Sequence, residues 1–95
     1  MKILGVEALE TFGERHKEAK SRLNTWRNLV ECAEWNNPAE LKKTLGSASI
    51  VGRQTVFNIG GNNYRLVALI EYKLKTVLVQ HVLTHAEYDK EDWKA

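Results

Sequence analysis

Residues 55–84 read TVFNIGGNNYRLVALIEYKLKTVLVQHVLT and contain three runs rich in β-branched and aromatic side chains. TVFNI, YRLVALIEY and TVLVQHVLT are each long enough to form a strand, and short turn-like segments divide them. The first divider, residues 60–63, is Gly-Gly-Asn-Asn, and these residue types tolerate the positive φ angles of tight hairpins. The second divider, around residues 73–75, is less distinct. The stretch therefore predicts a meander of three antiparallel strands.

A helical pattern precedes these strands. Apolar or aromatic residues recur at steps of three and four, which places them on one side of a helix or of two successive helices. They are Leu9, Phe12, His16, Ala19, Leu23, Trp26, Val30 and Ala33. The polar cluster that follows Gly13 predicts a break between two helices. The opening MKILGV suits a short strand and is a candidate fourth member of the sheet.

Two shorter helical segments are marked by capping residues. Asn36 and Asn37 precede Pro38, which predicts a single helical turn that ends near Gly46. Residues 47–54 are small and polar and read as a surface loop. Near the C-terminus, Thr84 followed three residues later by Glu87 matches a capping box and predicts a short helix. The predicted fold is α+β: an antiparallel sheet of three to four strands, two N-terminal helices packed on one face, and a short C-terminal helix.

The bulk properties limit the class of protein. A chain of 95 residues with 43% hydrophobic content has material for one core, so residues 1–95 are predicted to form a single domain. Cys32 is the sole cysteine, which excludes an intramolecular disulfide and a multi-cysteine metal site. There is neither a signal-peptide pattern nor an apolar run of about 18 residues. We therefore expect a cytoplasmic protein.

Charge is unevenly distributed along the chain. The net charge is only +2, but residues 41–75 contain six basic side chains and a single acidic one, Glu71. The six are Lys42, Lys43, Arg53, Arg65, Lys73 and Lys75. A local basic region is the electrostatic footprint of nucleic-acid binding, although a solvated charged face gives the same pattern.

Arg65 is the first candidate functional residue. Strand alternation places it on one sheet face with Val67 and Leu69. A guanidinium on an otherwise apolar strand face needs solvent or an anionic partner. Two interpretations remain open: a salt bridge to an acidic residue such as Asp89, or a phosphate clamp, for which the planar fork of Arg is well shaped.

The last predicted strand supplies two histidines. Alternation groups His81 and His85 with Val77, Val79 and Leu83. An odd-length loop around residues 73–75 would bring Arg65 to the same face, whereas a two-residue turn would put it on the other. Two histidines four residues apart in a strand do not converge on a metal ion, so no metal site is predicted.

Immediately after His85 come Tyr88, Asp89 and Lys90. All three could be structural or solvated residues. However, His, Tyr, Asp, Lys and Arg are the groups that metal-free RNA cleavage requires, because two protons must move and a cation must hold the charge that builds on phosphorus. By contrast, no GxSxG, P-loop or GxGxxG motif follows a predicted strand, so serine-hydrolase chemistry and a nucleotide cofactor are not supported, and no cofactor is expected.

The stretches VFNIGGNNYRLVALIEY and THAEYDK, together with AEWNNPAELKKTL upstream, resemble the HigB-type toxins of the RelE superfamily. The similarity extends over roughly residues 15–92. It implies a RelE-like fold, metal-independent cleavage of mRNA in the A site of the 70S ribosome, and neutralisation by a HigA-like helix-turn-helix antitoxin in a complex of higher oligomeric order. Such toxins leave a 2′,3′-cyclic phosphate, or its opened 3′-phosphate, and a 5′-hydroxyl.

The resemblance also suggests roles for individual residues. Arg65 matches a phosphate-contacting arginine, and His85, Tyr88 and Asp89 match the C-terminal motif that holds active-site groups. The predicted catalytic set is therefore these four residues. The predicted RNA-binding residues are Lys42, Lys43, Arg53, Lys73 and Lys90.

Two other functions remain open. The same fold could poison a protein target such as DNA gyrase, as ParE-type relatives do, without any RNase activity. It could also be a plain RNA-binding module, which would need stacking aromatics on an exposed sheet face. Tyr64 and Tyr72 share a face, but the Leu66, Ala68 and Ile70 between them are typical of a core.

Overall fold

The computed structural model describes residues 1–61 and 63–94, and the α+β prediction is confirmed. The elements in chain order are β1 (Lys2–Leu4), α1 (Val6–Arg15), α2 (Lys17–Cys32), α3 (Pro38–Thr44), β2 (Ser49–Val51), β3 (Gln54–Ile59), β4 (Tyr64–Glu71), β5 (Thr76–Thr84) and α4 (His85–Asp89). The predicted turn at residues 60–63 joins β3 to β4, and its Asn62 lies outside the described residues.

The strands form one five-stranded sheet in the order β1-β5-β4-β3-β2. The meander of β3, β4 and β5 is antiparallel, as predicted, and β1 joins the sheet as its predicted extra strand. However, β1 pairs with β5 in parallel, so the sheet is mixed. β2 lies in the segment predicted as a loop: Ile50 and Val51 favour a strand, and Gly52, at φ 61°, opens a two-residue hairpin to β3.

Helices α1 and α2 cover one face of the sheet, as predicted. Their apolar positions are buried together with the inward side chains of the strands. The buried helical residues are Leu9, Phe12, Gly13, Ala19, Leu23, Trp26 and Val30. The helices separate at His16, within the predicted polar break. Tyr64, Leu66 and Ala68 pack in this core, which removes the exposed stacking face that a plain RNA-binding module would need.

A β-bulge in β5 changes which side chains face the open side of the sheet. Val79 pairs with Ala68, but His81 pairs with Val67, so Gln80 is an extra residue in β5. Val77 and Val79 therefore lie in the helix-covered core, whereas His81 and Leu83 lie on the face of Arg65. Grouping all these residues on one face was wrong, because simple alternation does not continue through a bulge.

The β4–β5 loop does not by itself bring Arg65 to this face. Glu71 pairs with Thr76, so the loop has four residues, an even number. Without the bulge, Arg65 and His81 would lie on opposite faces of the sheet. The bulge at Gln80 supplies the one-residue shift that an odd-length loop would have supplied.

The open face is partly covered by the end of the chain. Trp93 is 5% exposed and packs with Val56 and Val67, and the side chains of Leu83 and Tyr88 border this small second cluster. Within the described residues, no helix has the length and apolar character needed to cross a bilayer.

Gly5, between β1 and α1, permits a test of this packing. Its φ is 86°, and a Cβ there would lie 2.8 Å from the carbonyl oxygen of Val79. We expect Gly5→Ala to lower the free energy of unfolding by more than about 2 kcal/mol, because the left-handed conformation and the clash both act against the side chain. Urea denaturation measures the change.

The matched control is Gly52→Ala, since Gly52 has a φ of 61° but no atom within 4 Å of the added Cβ. Gly52→Ala should lower the free energy of unfolding by only about 1 kcal/mol, because it adds the strain of a left-handed conformation but no clash. Equal losses in the two variants would contradict the predicted close approach of Gly5 to β5.

Candidate active site

Arg65 lies near the start of β4, opposite Leu83 on one side and Asn58 on the other. Its Nη1 donates a hydrogen bond to the Tyr64 carbonyl at 3.1 Å, and its Cζ lies 5.4 Å from the centroid of the Tyr88 ring. The alternative salt bridge to Asp89 is not formed, because Asp89 pairs with His85. The other guanidinium nitrogens of Arg65 therefore remain suited to a phosphate.

Helix α4 is fixed at the end of β5 by the predicted capping box. The Thr84 hydroxyl accepts a hydrogen bond from the Glu87 amide at 3.2 Å, and Glu87 Oε1 accepts one from the Thr84 amide at 2.9 Å. In addition, the His85 amide donates to the Asn63 carbonyl at 3.1 Å. This last bond joins the first turn of α4 to the β3–β4 turn, so the helix starts beside the strand that carries Arg65.

His85 and Asp89 form an exposed pair on α4. Their separation is 3.0 Å from Nδ1 to Oδ2, at the i, i+4 spacing of one helix face. The side chains are 52% and 60% exposed, so a substrate can reach them. Because Asp89 occupies the Nδ1 side, it orients the imidazole and leaves Nε2 as the atom able to exchange a proton with a substrate.

Tyr88 and Trp93 extend this site along the open face. Their rings stack with centroids 4.9 Å apart and planes 13° apart, and Trp93 Nε1 donates to the Tyr88 carbonyl at 2.8 Å. Sequence reasoning did not single out Trp93. The sequence does contain a sign of its role, because Trp93 is a large apolar residue within the otherwise polar stretch KEDWKA. A tryptophan in such a stretch indicates packing against another part of the protein.

His81 and Lys90 both line a neighbouring cleft of about 270 Å³, which Leu83 and Trp93 also line. His81 faces Val67 across the strands rather than the His85–Asp89 pair. Lys90 is the C-cap of α4 and is exposed, so of the five predicted RNA-binding residues it lies nearest to the candidate catalytic set.

The remaining predicted RNA-binding residues lie elsewhere. Lys73 is in the β4–β5 turn, at the opposite end of β4 from Arg65. Lys42 and Lys43 are exposed in the last turn of α3. This turn lies near the same β4–β5 turn, because Trp35 donates a hydrogen bond to the Thr44 hydroxyl and accepts one at its carbonyl from Lys75. Arg53 is in the β2–β3 turn and lines a cleft on the open face. The basic region is thus spread over the molecule rather than gathered around Arg65.

A second polar cluster, also not anticipated, anchors the helices to the start of β4. The Tyr64 hydroxyl donates to Glu18 Oε1 at 2.7 Å, and this bond lowers the pKa of Glu18 and raises that of Tyr64. His16 stacks on Phe12, with 4.4 Å between ring centroids. Tyr64 pairs with Thr84, so this cluster supports the end of the sheet that bears α4.

The site brings an arginine against a tyrosine ring, and the short helix that carries this tyrosine also carries a histidine paired with a carboxylate. These groups can hold a phosphate and move a proton. Within residues 1–61 and 63–94, no group of three or more His, Cys, Asp and Glu side chains is arranged to bind a metal ion.

The capping box predicts a pH dependence for α4. The pKa of Glu87 is lowered, first by the hydrogen bond from the Thr84 amide and further by the charges of Arg15 and His16. A carboxyl group whose pKa is lower in the folded state than in the unfolded state stabilises the fold at pH values above its unfolded-state pKa. This stabilisation is lost as the pH falls through the folded-state pKa. We therefore expect α4 to fray below the ordinary Glu pKa of about 4.3.

Amide hydrogen exchange of α4 at several pH values measures this fraying. The Glu87→Gln variant should show weaker protection at neutral pH and a much smaller change on acidification, since it carries no titrating group at this position. Identical acid responses in the two proteins would show that Glu87 does not control the helix.

Comparisons with known proteins agree with the resemblance seen in the sequence. The mRNA interferase toxin HigB of Escherichia coli K12 is 28% identical over 92 residues, which are 94% of this chain and 88% of that protein. The mRNA interferase HigB of E. coli O6:H1 is 26% identical over 93 residues, covering 95% and 90% of the two chains. Residues 19–91 match the family model for HigB_toxin, the RelE-like toxic component of a toxin-antitoxin system. Because this match covers most of the sequence and includes all nine predicted site residues, the chain belongs to the HigB toxin family.

Proposed function

We propose that this protein is an mRNA interferase, a toxin that cuts mRNA in the A site of the translating ribosome and so arrests translation and growth. The observation that supports the proposal is the contact of Arg65 with the ring of Tyr88, a residue of the same short helix that carries the exposed His85–Asp89 pair. Family membership supports the toxin role, and the relatives named as mRNA interferases support the substrate.

The chemistry we propose is attack of a ribose 2′-hydroxyl on the adjacent phosphorus. The 2′-oxygen forms a bond to phosphorus while the bond to the 5′-oxygen breaks, which leaves a 2′,3′-cyclic phosphate and a 5′-hydroxyl. One group must take the 2′ proton and another must protonate the 5′-oxygen. His85, oriented by Asp89, performs one of these transfers through Nε2. Tyr88 performs the other through its hydroxyl.

Arg65 supplies the cation for the charge that builds on phosphorus in the transition state. Its guanidinium lies over the Tyr88 ring, so the ring supports it without neutralising it as a carboxylate would. Such a preorganised cation is worth more in the transition state than in the ground state. No metal ion is required for these steps.

The partners follow from this role. The ribosome and its mRNA are the substrate assembly, and Lys90, Arg53, Lys73, Lys42 and Lys43 are the proposed contacts to RNA. A HigA-like helix-turn-helix antitoxin would neutralise the toxin in a higher-order complex. Because the proposed target is the translating ribosome, the proposed site of action is the cytoplasm.

The experiment that tests the function is mapping of the 5′ ends of cellular mRNA shortly after induction. We expect new 5′-hydroxyl ends inside coding regions, dependent on translation. Arg65→Ala and His85→Ala should each reduce them by about a hundredfold or more. Arg27→Ala, which removes a partly exposed arginine from α2 on the helix-covered face of the sheet, is the matched control and should behave as wild type.

The alternative target gives a different result. A toxin that poisons DNA gyrase would produce double-strand DNA breaks and growth arrest with intact mRNA. If Arg65→Ala and His85→Ala both cleaved mRNA as fully as wild type, the proposed interferase function would stand but the proposed active site would be rejected.

A further prediction concerns Trp93 as a positioning residue for Tyr88. We expect Trp93→Leu to lower the turnover of mRNA cleavage by about tenfold, because Tyr88 loses its stacking partner and Arg65 loses a fixed ring beneath it. Trp93→Phe keeps a ring at this position and should recover most of the turnover. Single-turnover cleavage on programmed ribosomes measures the effect.

Trp35→Leu is the control for stability. Trp35 is 4% exposed and its Nε1 also makes one hydrogen bond, to Thr44, but it lies away from α4. Both leucine variants should lower the midpoint of thermal unfolding, whereas Trp93→Leu alone should lower turnover per folded molecule. Equal turnover in the two variants would mean that Trp93 acts only through stability.

A further inference from the structure

A second cleft of about 370 Å³ lies on the open face, displaced from Arg65 toward the β4–β5 turn. Its apolar floor is formed by Val51 and Leu69, and its polar groups are those of Arg53, Gln54, Gln80 and Lys94. Two cations and two amides around an apolar floor are the groups that recognise single-stranded nucleic acid: the floor packs against a base, the amides bond to its edge, and the cations contact phosphate.

The two glutamines form a pair across β4. Gln54 Nε2 donates to Gln80 Oε1 at 2.8 Å, and Leu69 lies in the strand between them. Gln80 reaches this position because it is the extra residue of the β5 bulge. Within residues 1–61 and 63–94, this is the only side-chain hydrogen bond that either amide makes.

The pair therefore has unused hydrogen-bonding capacity in the lining of the cleft. With the bond as given, Gln54 keeps a carbonyl oxygen and Gln80 keeps an amino group. Exchanging the oxygen and nitrogen assignments of both amides leaves the same result with the residues reversed. In either case one acceptor and one donor stand side by side in a half-buried cleft, which matches the adjacent donor and acceptor on a nucleobase edge.

This cleft lies on the same face of the sheet as Arg65. Lys94 Nζ lies 5.7 Å from the centroid of Trp93, which stacks on Tyr88, which lies under Arg65. Along β4, Arg65 and Leu69 are four residues apart, a distance of about 13 Å. An RNA strand with one phosphate on Arg65 would thus bring a nearby nucleotide to the cleft. The Lys94–Glu91 ion pair is exposed, so it offers little resistance to a phosphate.

We propose that this cleft binds one nucleobase of the substrate RNA, close to the scissile phosphate, and that the Gln54–Gln80 pair selects which base is accepted. The inference rests on the proposed mRNA cleavage. Selection arises because the four bases place donors and acceptors in different positions on their edges, and a mismatched base would cover an amide group without giving it a hydrogen-bond partner.

The test is to map cleavage sites for wild type, Gln54→Met and Gln80→Met, using the intact protein in cells and on programmed ribosomes. Met is close to Gln in length and lacks both hydrogen-bonding groups. We expect cutting to continue, while the base preference at one fixed position relative to the cut falls by about tenfold. Gln80→Glu, which has acceptors only, should change which base is preferred. Asn28→Met, an exposed amide on α2, is the matched control and should leave the preference unchanged.

The outcomes separate this proposal from the proposed function. If wild type produces no new mRNA ends, mRNA cleavage is rejected and base selection falls with it. If wild type cuts and both Met variants retain its base preference, base selection alone is rejected. A uniform loss of cutting at all sites, with the preference unchanged, would also reject it, because the cleft would then contact ribosomal RNA or stabilise the fold.

Discussion

Strand β5 has to serve both faces of the sheet, and the bulge at Gln80 makes this possible. Before the bulge, Val77 and Val79 face the core under α1 and α2. After it, Leu83 borders the small cluster around Trp93, and β5 delivers the chain to α4 beside Arg65. In a regular strand, a residue's number alone would decide its face. Because of the extra residue, the side chains before the bulge can fill the core while those after it face the open side, where the candidate site lies.

The site itself is assembled from three parts of the chain that are held together mainly by backbone geometry. β4 supplies Arg65, α4 supplies the His85–Asp89 pair, and the segment after α4 supplies Trp93. The capping box and the bond from His85 to the β3–β4 turn set the start of α4. As a result, exposed polar groups are positioned by buried or backbone contacts, which is how an open surface can remain ordered enough for chemistry.

Much of the fold could be predicted from the sequence, because it follows from local periodicity. The two N-terminal helices, the three-strand meander and both capping motifs are each encoded in a few neighbouring residues. The parallel pairing of β1 depends on contacts between distant residues, which periodicity does not report. β2 was missed because three residues are too few to show alternation, and the bulge because a two-residue period has no signal for one inserted residue. For the same reason, Gln80 did not stand out as a neighbour of Gln54. Trp93 was missed because Val56 and Val67, on which it packs, are distant from it in the sequence. The roles of Arg65, His85, Tyr88 and Asp89 remain predictions that their geometry supports.

The parallel contact between β1 and β5 also constrains when the molecule can acquire its shape. Lys2 pairs with Thr76, so β1 cannot form its hydrogen bonds to the sheet until β5 has been synthesised. A sheet closed by such a distant contact cannot be completed before β5 has been synthesised. α4 follows β5 directly, so the histidine, tyrosine and aspartate proposed for catalysis become ordered at the same late stage. The proposed active surface therefore forms only after the other strands of the sheet have been synthesised.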